Sequence, residues 1–108
     1  MSHITTHILD AATGRPAAGV PVALVDTAGI EIAAGVTDDN GRIAGLGPEQ
    51  LDSGAYRLTF ATGEYFQRTG TETFYPVVSI EFSVTDSEQH YHVPLLISPF
   101  AYSTYRGS

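Results

Sequence analysis

The chain has 108 residues, 43% of them hydrophobic and 16% charged, with a net charge of −7, no lysine and no cysteine. That length supports one domain around one modest core, and the composition is that of a globular chain rather than a disordered one. Disulfides, thiolate metal sites and a cysteine nucleophile are excluded, and an acidic chain without a basic run is a poor partner for nucleic acid or an anionic membrane. No stretch approaches the ~20 apolar residues of a membrane-spanning helix. The first residues show no basic segment followed by an apolar one, which favours the cytosol.

Residues 4–9 alternate Ile4, Thr6 and Ile8 against Thr5, His7 and Leu9, the period of a strand rich in β-branched residues. Residues 10–19 read as a loop broken by Gly14, Pro16 and Gly19. A second strand spans 20–25, with Pro21 implying an edge position or the start of the strand. After the turn at 26–29, residues 30–37 resume extended structure. Asn40-Gly41 is the strongest short-range turn signal in the chain, and Arg42 follows it directly, opening a short extended piece to Leu46.

Residues 55–60 form a strand with Tyr56, Leu58 and Phe60 on one side. Residues 62–69 are the one helix, capped by Thr62 and stopped by Gly70, with Tyr65 and Phe66 turned inward. Residues 74–84 return to strand with Val78, Ile80, Phe82 and Val84 on one face, and from His90 the chain runs back as the last strand. Short strands, many Gly and Pro turns and one small helix give an all-β fold, a two-sheet β-sandwich.

The tail is unusual for a terminus. Val93, Leu95, Leu96, Ile97, Phe100, Tyr102 and Tyr105 run almost to the last residue, and burying them is worth several kcal/mol at roughly 25 cal/mol per Å². The tail is therefore expected to pack against the body and to hold Tyr105, Arg106, Gly107 and Ser108 in a defined place.

Groups able to do chemistry are few. His3 reads as a mobile terminal residue whose replacement is silent. His7 lies within a regular strand pattern; His90 and His92, two apart, point to one face. All five cations are arginines (Arg15, Arg42, Arg57, Arg68, Arg106), and guanidinium recognises planar acceptors bidentately. Three chemistries are open from the residues alone. His7, His90 and His92 could supply three zinc ligands, although His spacing alone is a weak signal. A Ser-His-Asp triad lacks its Gly-x-Ser-x-Gly elbow. The third is metal-free hydrolysis, with an imidazole as general base to water and an arginine with hydroxyl donors holding a small polar ring.

Three segments carry a family pattern: residues 4–10 (Ile-Thr-Thr-His-Ile-Leu-Asp) with 14–22 (Gly-Arg-Pro-Ala-Ala-Gly-Val-Pro-Val), residues 37–42 (Thr-Asp-Asp-Asn-Gly-Arg), and residues 92–99 (His-Val-Pro-Leu-Leu-Ile-Ser-Pro) with the terminal Tyr-Arg-Gly-Ser. Together they resemble the transthyretin-related proteins that act as 5-hydroxyisourate hydrolases in urate breakdown. Ile4 and Ile97 stand where that family often has leucine. The resemblance implies a transthyretin/prealbumin-like sandwich filling residues 1–108 as one hydrolase domain, assembled as a homotetramer with sites where dimers meet. It implies a small-molecule substrate, 5-hydroxyisourate, with no cofactor and no metal. His7, Arg42, His92 and Ser108 carry over as catalytic residues, with His7, Arg42 and Tyr105 contacting substrate. His90 is a neighbour without an assigned part, and Arg106 is expected to anchor the tail by pairing with an acid. A transthyretin-like small-ligand carrier without catalysis is the alternative on the same fold.

Overall fold

The computed structural model describes residues 3–107. In chain order the elements are β1 (Ile4–Asp10), β2 (Arg15–Pro16), β3 (Pro21–Asp26), β4 (Glu31–Val36), β5 (Gly54–Phe60), α1 (Thr62–Arg68), β6 (Val78–Val84), β7 (Tyr91–Ser98) and β8 (Ala101–Thr104). They form two four-stranded sheets, β2-β1-β7-β8 and β4-β3-β5-β6. The inner faces meet in one apolar cluster: Ile4, Ile8, Leu95 and Ile97 from the first sheet, Leu24, Leu58, Phe60 and Val84 from the second. This is the expected all-β sandwich with one short helix. The period-two alternation that buries every second residue of β1 leaves Thr5, His7 and Leu9 only half-buried, on the outside.

The first sheet is held by a parallel pair inside an otherwise antiparallel fold. β1 and β7 run side by side from Ile4↔Tyr91 to Asp10↔Ile97. α1 sits over the end of that pair, where the Tyr65 hydroxyl donates to the buried Asp10 Oδ2 at 2.8 Å. Burial first, and then the Asp10 carboxylate, push the Tyr65 phenol up to about 12. The other Asp10 oxygen accepts the Ala12 N–H at 3.0 Å and closes the turn after β1.

Several expectations need correction. Thr62 does not cap the helix: Ala61 takes the cap position without a side-chain bond, and Thr62 is the buried first helical residue. Residues 74–77 are irregular rather than strand, and β6 starts at Val78. Pro21, by contrast, meets the second of its two expected placements: it opens β3, an interior strand of its sheet, where a missing N–H is tolerated because it falls on the first residue.

The tail is a hairpin of β7 and β8, not one strand, and only part of its apolar set is buried. Val93, Leu95 and Ile97 are buried, whereas Phe100 and Tyr105 are more than 60% exposed. Hydrogen bonding to β7, more than burial, holds its end.

His3 is also corrected. It is 4% exposed, its Nδ1 accepts the Leu51 N–H at 2.8 Å, and its ring meets Tyr91 edge-on at 5.6 Å between centroids. The loop ending at Leu51 folds over it, a contact between residues 48 apart that local pattern does not reveal.

Candidate active site

The outward positions of the first sheet gather the polar groups. Thr5 stands opposite His92, and His7 opposite Pro94, in the parallel β1–β7 register. Arg42 arrives from the far side of β1 as an isolated antiparallel bridge partner of His7. Partners directly opposite in a ladder share a face, so Arg42, His7, Thr5 and His92 line one strip. The turn that delivers Arg42 is built by Asp38, whose Oδ1 accepts the N–H groups of Asn40 at 2.9 Å and Arg42 at 3.0 Å. Gly41 takes φ +74° there, and its carbonyl accepts the Ile8 N–H at 2.8 Å. A side chain at 41 would run into the Ile8 carbonyl oxygen and sit 3.3 Å from Pro16 Cβ. Glycine is thus required both for the turn's dihedral and for its contact with β1.

Pro94 shapes the other side. Lacking an N–H, it interrupts the β7–β8 ladder: β8 ends at Thr104, whose hydroxyl donates to the Pro94 carbonyl at 2.7 Å. Pairing resumes at Gly107, whose N–H donates to the His92 carbonyl at 2.8 Å. Between these bonds Tyr105 lines a cavity of about 200 Å³ with His7, Pro94 and Leu96. Gly107 lies flat against the His92 ring. A Cβ there would overlap Cδ2 and come within 3.1 Å of Cγ. Arg106 fixes the tail from the opposite side, its guanidinium 4.6 Å from the Tyr91 ring centroid and its Nη2 3.0 Å from Gln89 Oε1. The expected acid partner is replaced by a ring and an amide, a cation–π contact suited to arginine.

His92 is the electrostatically tuned member. Burial first, then the nearby charges of Arg42, His7 and His90, hold its imidazole below the ordinary histidine value. A histidine so placed stays neutral into mildly acidic solution and keeps a lone pair for a proton. Its Nδ1 is 2.8 Å from Thr5 Oγ1, and the same hydroxyl is 2.8 Å from His90 Nε2. The Nε2 of His92 is thereby left for a ligand.

Of the residues expected from sequence, His7, Arg42, His92 and Tyr105 come together on this face. Ser108 lies outside the described residues. His90 approaches only through Thr5. Among the described residues no three His, Asp or Glu side chains converge to hold a metal ion. The strip offers two imidazoles, one guanidinium and a phenol, a set able to move protons and to neutralise a developing oxyanion. A cavity of about 470 Å³ lies elsewhere, on the outer face of the second sheet among Pro21, Ala23, Ala34 and Val36. It offers no acid–base pair. Sequence reasoning passed over Thr5 and Gly107. The alternation that puts Thr5 on the His7 face was a usable signal; the contact of Gly107 with His92 had none.

Comparison with known proteins adds to this geometry. A model of the HIUase/Transthyretin family matches residues 4–107. A 5-hydroxyisourate hydrolase of Caulobacter vibrioides is 48% identical over 100% of both chains. The structure of Klebsiella pneumoniae 5-hydroxyisourate hydrolase superposes with a TM-score of 0.90 at 44% identity, covering 100% of this chain and 94% of that one. A transthyretin from Sparus aurata reaches a TM-score of 0.92 at 34% identity, covering 99% and 97%.

Proposed function

The chain belongs to the HIUase/Transthyretin family, and on that premise we propose that it is a 5-hydroxyisourate hydrolase, one hydrolase domain over residues 1–108. It opens the six-membered ring of its substrate to 2-oxo-4-hydroxy-4-carboxy-5-ureidoimidazoline, in a hydrolysis that uses no cofactor. The observation that carries the reading is the meeting of His7, His92 and Arg42 on one outer sheet face. One imidazole takes a proton from water as the oxygen bonds to the ring carbonyl carbon. The C–N amide bond then breaks, and a proton goes to the leaving nitrogen. His92, held neutral, suits the first task and His7 the second. Arg42 binds ring oxygens and stabilises the charge that develops on the carbonyl oxygen. Tyr105 serves as a wall of the pocket, and Ser108 as a further hydrogen-bond group.

The reading includes a homotetramer with the sites where dimers meet. Support comes from Tyr105, 61% exposed in one chain beside the site, which a neighbouring subunit would cover. Sedimentation analysis tests it. A cytosolic location goes with the same reading, and cell fractionation tests that.

The carrier reading keeps some footing, because the likeness to a transthyretin is as close in fold as the likeness to a hydrolase. Fold alone does not choose between them. A charged, histidine-lined strip favours hydrolysis over storage of an apolar ligand. The deciding experiment adds the protein to urate with urate oxidase and follows the absorbance of the transient hydroxyisourate. Accelerated decay is expected; unchanged decay with folded protein overturns the enzyme reading.

A further inference from the structure

We propose that Thr5 is a positioning residue that joins His92 to His90, setting which nitrogen of His92 carries a proton and passing that proton outward. The inference rests on the hydrolase reading for its consequence in turnover, but its physical content belongs to the free protein. A threonine hydroxyl has one proton and two lone pairs. Thr5 Oγ1 stands 2.8 Å from His92 Nδ1 and 2.8 Å from His90 Nε2. With one proton it donates to one ring and accepts from the other, so the two tautomers are linked. When Thr5 donates to His90 Nε2, His92 bears hydrogen on Nδ1 and presents a bare Nε2, the form of a base. When Thr5 donates to His92 Nδ1, the hydrogen of His92 sits on Nε2, the form of a donor.

The same arrangement relocates charge. A proton taken by His92 Nε2 from water makes an imidazolium in the half-buried strip beside Arg42. The Nδ1 proton then moves to Thr5 Oγ1 as the hydroxyl proton moves to His90 Nε2. No proton is gained or lost, His92 is neutral with hydrogen on Nε2, and the positive charge rests on His90. The reverse movement restores the Nδ1 proton once Nε2–H has been handed back, through solvent, to His7, which gives its own proton to the leaving nitrogen.

His90 is the better place for the charge. It is exposed and shares a hollow of about 400 Å³ with Glu49, Glu88 and His3. His92 instead faces the Arg42 guanidinium and the His7 ring. Of the other charges near this end, Arg106 is occupied with Gln89 and the Tyr91 ring, and Glu81 lines a cavity with His92 and Arg106. The geometry depends on register: Thr5 is the residue directly opposite His92 in the β1–β7 ladder, which brings its hydroxyl to both rings.

The test uses Thr5→Val, which keeps the β-branched shape, Thr5→Ser, which keeps the hydroxyl, His90→Ala, and Thr5→Val combined with His90→Ala. Thr5→Val should lower kcat about 10–100-fold, the scale on which losing the outer partner of a metal-bound histidine acts, with KM little changed and the acidic limb of the kcat profile displaced. Thr5→Ser should restore most of the rate. The double variant should be no slower than Thr5→Val alone, because both changes cut one path. Nitrogen NMR of the histidine rings reads the link without substrate. In the wild type the His90 and His92 tautomers should change together on titration, and in Thr5→Val independently. Wild-type kcat in Thr5→Val, equal damage from Thr5→Ser, or independent tautomers in the wild type would each overturn the proposal. Should Thr5→Val fail to fold, the His90→Ala spectrum decides: an unchanged His92 tautomer equilibrium sinks the link. A wild type without hydrolase activity but with linked tautomers refutes the hydrolase reading alone.

Discussion

The two sheets share one core and differ on their outer faces. Inward, both present the same apolar alternation, Ile4 and Ile8 in one, Leu24 and Leu58 in the other. Outward, the first sheet shows Thr5, His7 and His92, while the second shows Ala23, Arg57, Thr59 and Glu81. The difference comes from what joins each sheet from outside its ladder. The Asp38 turn adds Arg42 to β1, and the tail returns to β7 at Gly107. Among the described residues the second sheet receives no such bridging segment on the face that holds the apolar cavity. A sheet's outward positions are free of the core's demands, and they become a site where further backbone is pinned beside them.

The sharpest way to break this comparison is to remove the strip's charged groups. His7→Ala, Arg42→Ala and His92→Ala should each cut turnover 10²-fold or more, the scale of lost acid–base or oxyanion-stabilising groups, with thermal unfolding near that of the wild type. Steady-state kinetics of the coupled urate assay reads the effect. Near-normal rates in all three would move the chemistry off this face. A smaller loss is expected from Gly107→Ala. Its methyl group must push the His92 ring or the tail aside, and misplacement of a reacting group by about 1 Å costs on the order of 10²-fold, so roughly 10–100-fold is expected. Crystal structures of the variant should show which part moved, and a displaced ring with full activity would remove His92 from the mechanism.

Much of this was legible in the chain. Period-two alternation identified β1, β5 and β6 with their inward residues, because burial on one face of a sheet imposes it, whereas β2 lies in a stretch read as loop and β8 in one read as a single last strand. Asn40-Gly41 announced the turn that delivers Arg42, since Gly41 accepts the positive φ the turn needs. The parallel β1–β7 pairing was not legible, because it joins the two ends of the chain and leaves no local mark. Neither was the interruption at Pro94, whose effect on Tyr105 depends on where β8 lies. Thr62 looked like a helix cap, but its side chain is buried and Ala61 takes the cap. Local chemistry names a residue's abilities, and tertiary contacts select among them.

His3 shows the same limit in energetic form and supplies the next prediction. Terminal position suggested a silent residue, yet its ring is buried, with Nδ1 on the Leu51 N–H and an edge contact to Tyr91. His3→Ala leaves that N–H without its acceptor, at a cost of about 1–3 kcal/mol. In a chain of this size each kcal/mol lowers Tm by roughly 4–8 °C. Turnover at low temperature should hold, because His3 stabilises the loop ending at Leu51 and does not reach the strip. A scanning calorimetry trace identical to the wild type would mean that the ring contributes nothing there.

The smallest expected effect lies on the second sheet and serves as the control. Arg57 and Glu81 face each other across β5 and β6, with Arg57 Nε 3.2 Å from Glu81 Oε1. Their side chains are 48% and 66% exposed, so water screens their attraction and holding two long side chains in one geometry costs entropy. A double-mutant cycle with Arg57→Ala and Glu81→Ala should give a coupling of about 0.2–1 kcal/mol. The coupling should shrink as salt rises through the range where the Debye length falls below about 10 Å. Turnover should not change. Arg42 and Arg57 are the same residue type on outward faces of one sandwich, and losing one should abolish most activity while losing the other is barely measurable. A tenfold loss of turnover in Arg57→Ala at unchanged Tm would mean that the second sheet takes part in catalysis, and the division between the two faces would fall.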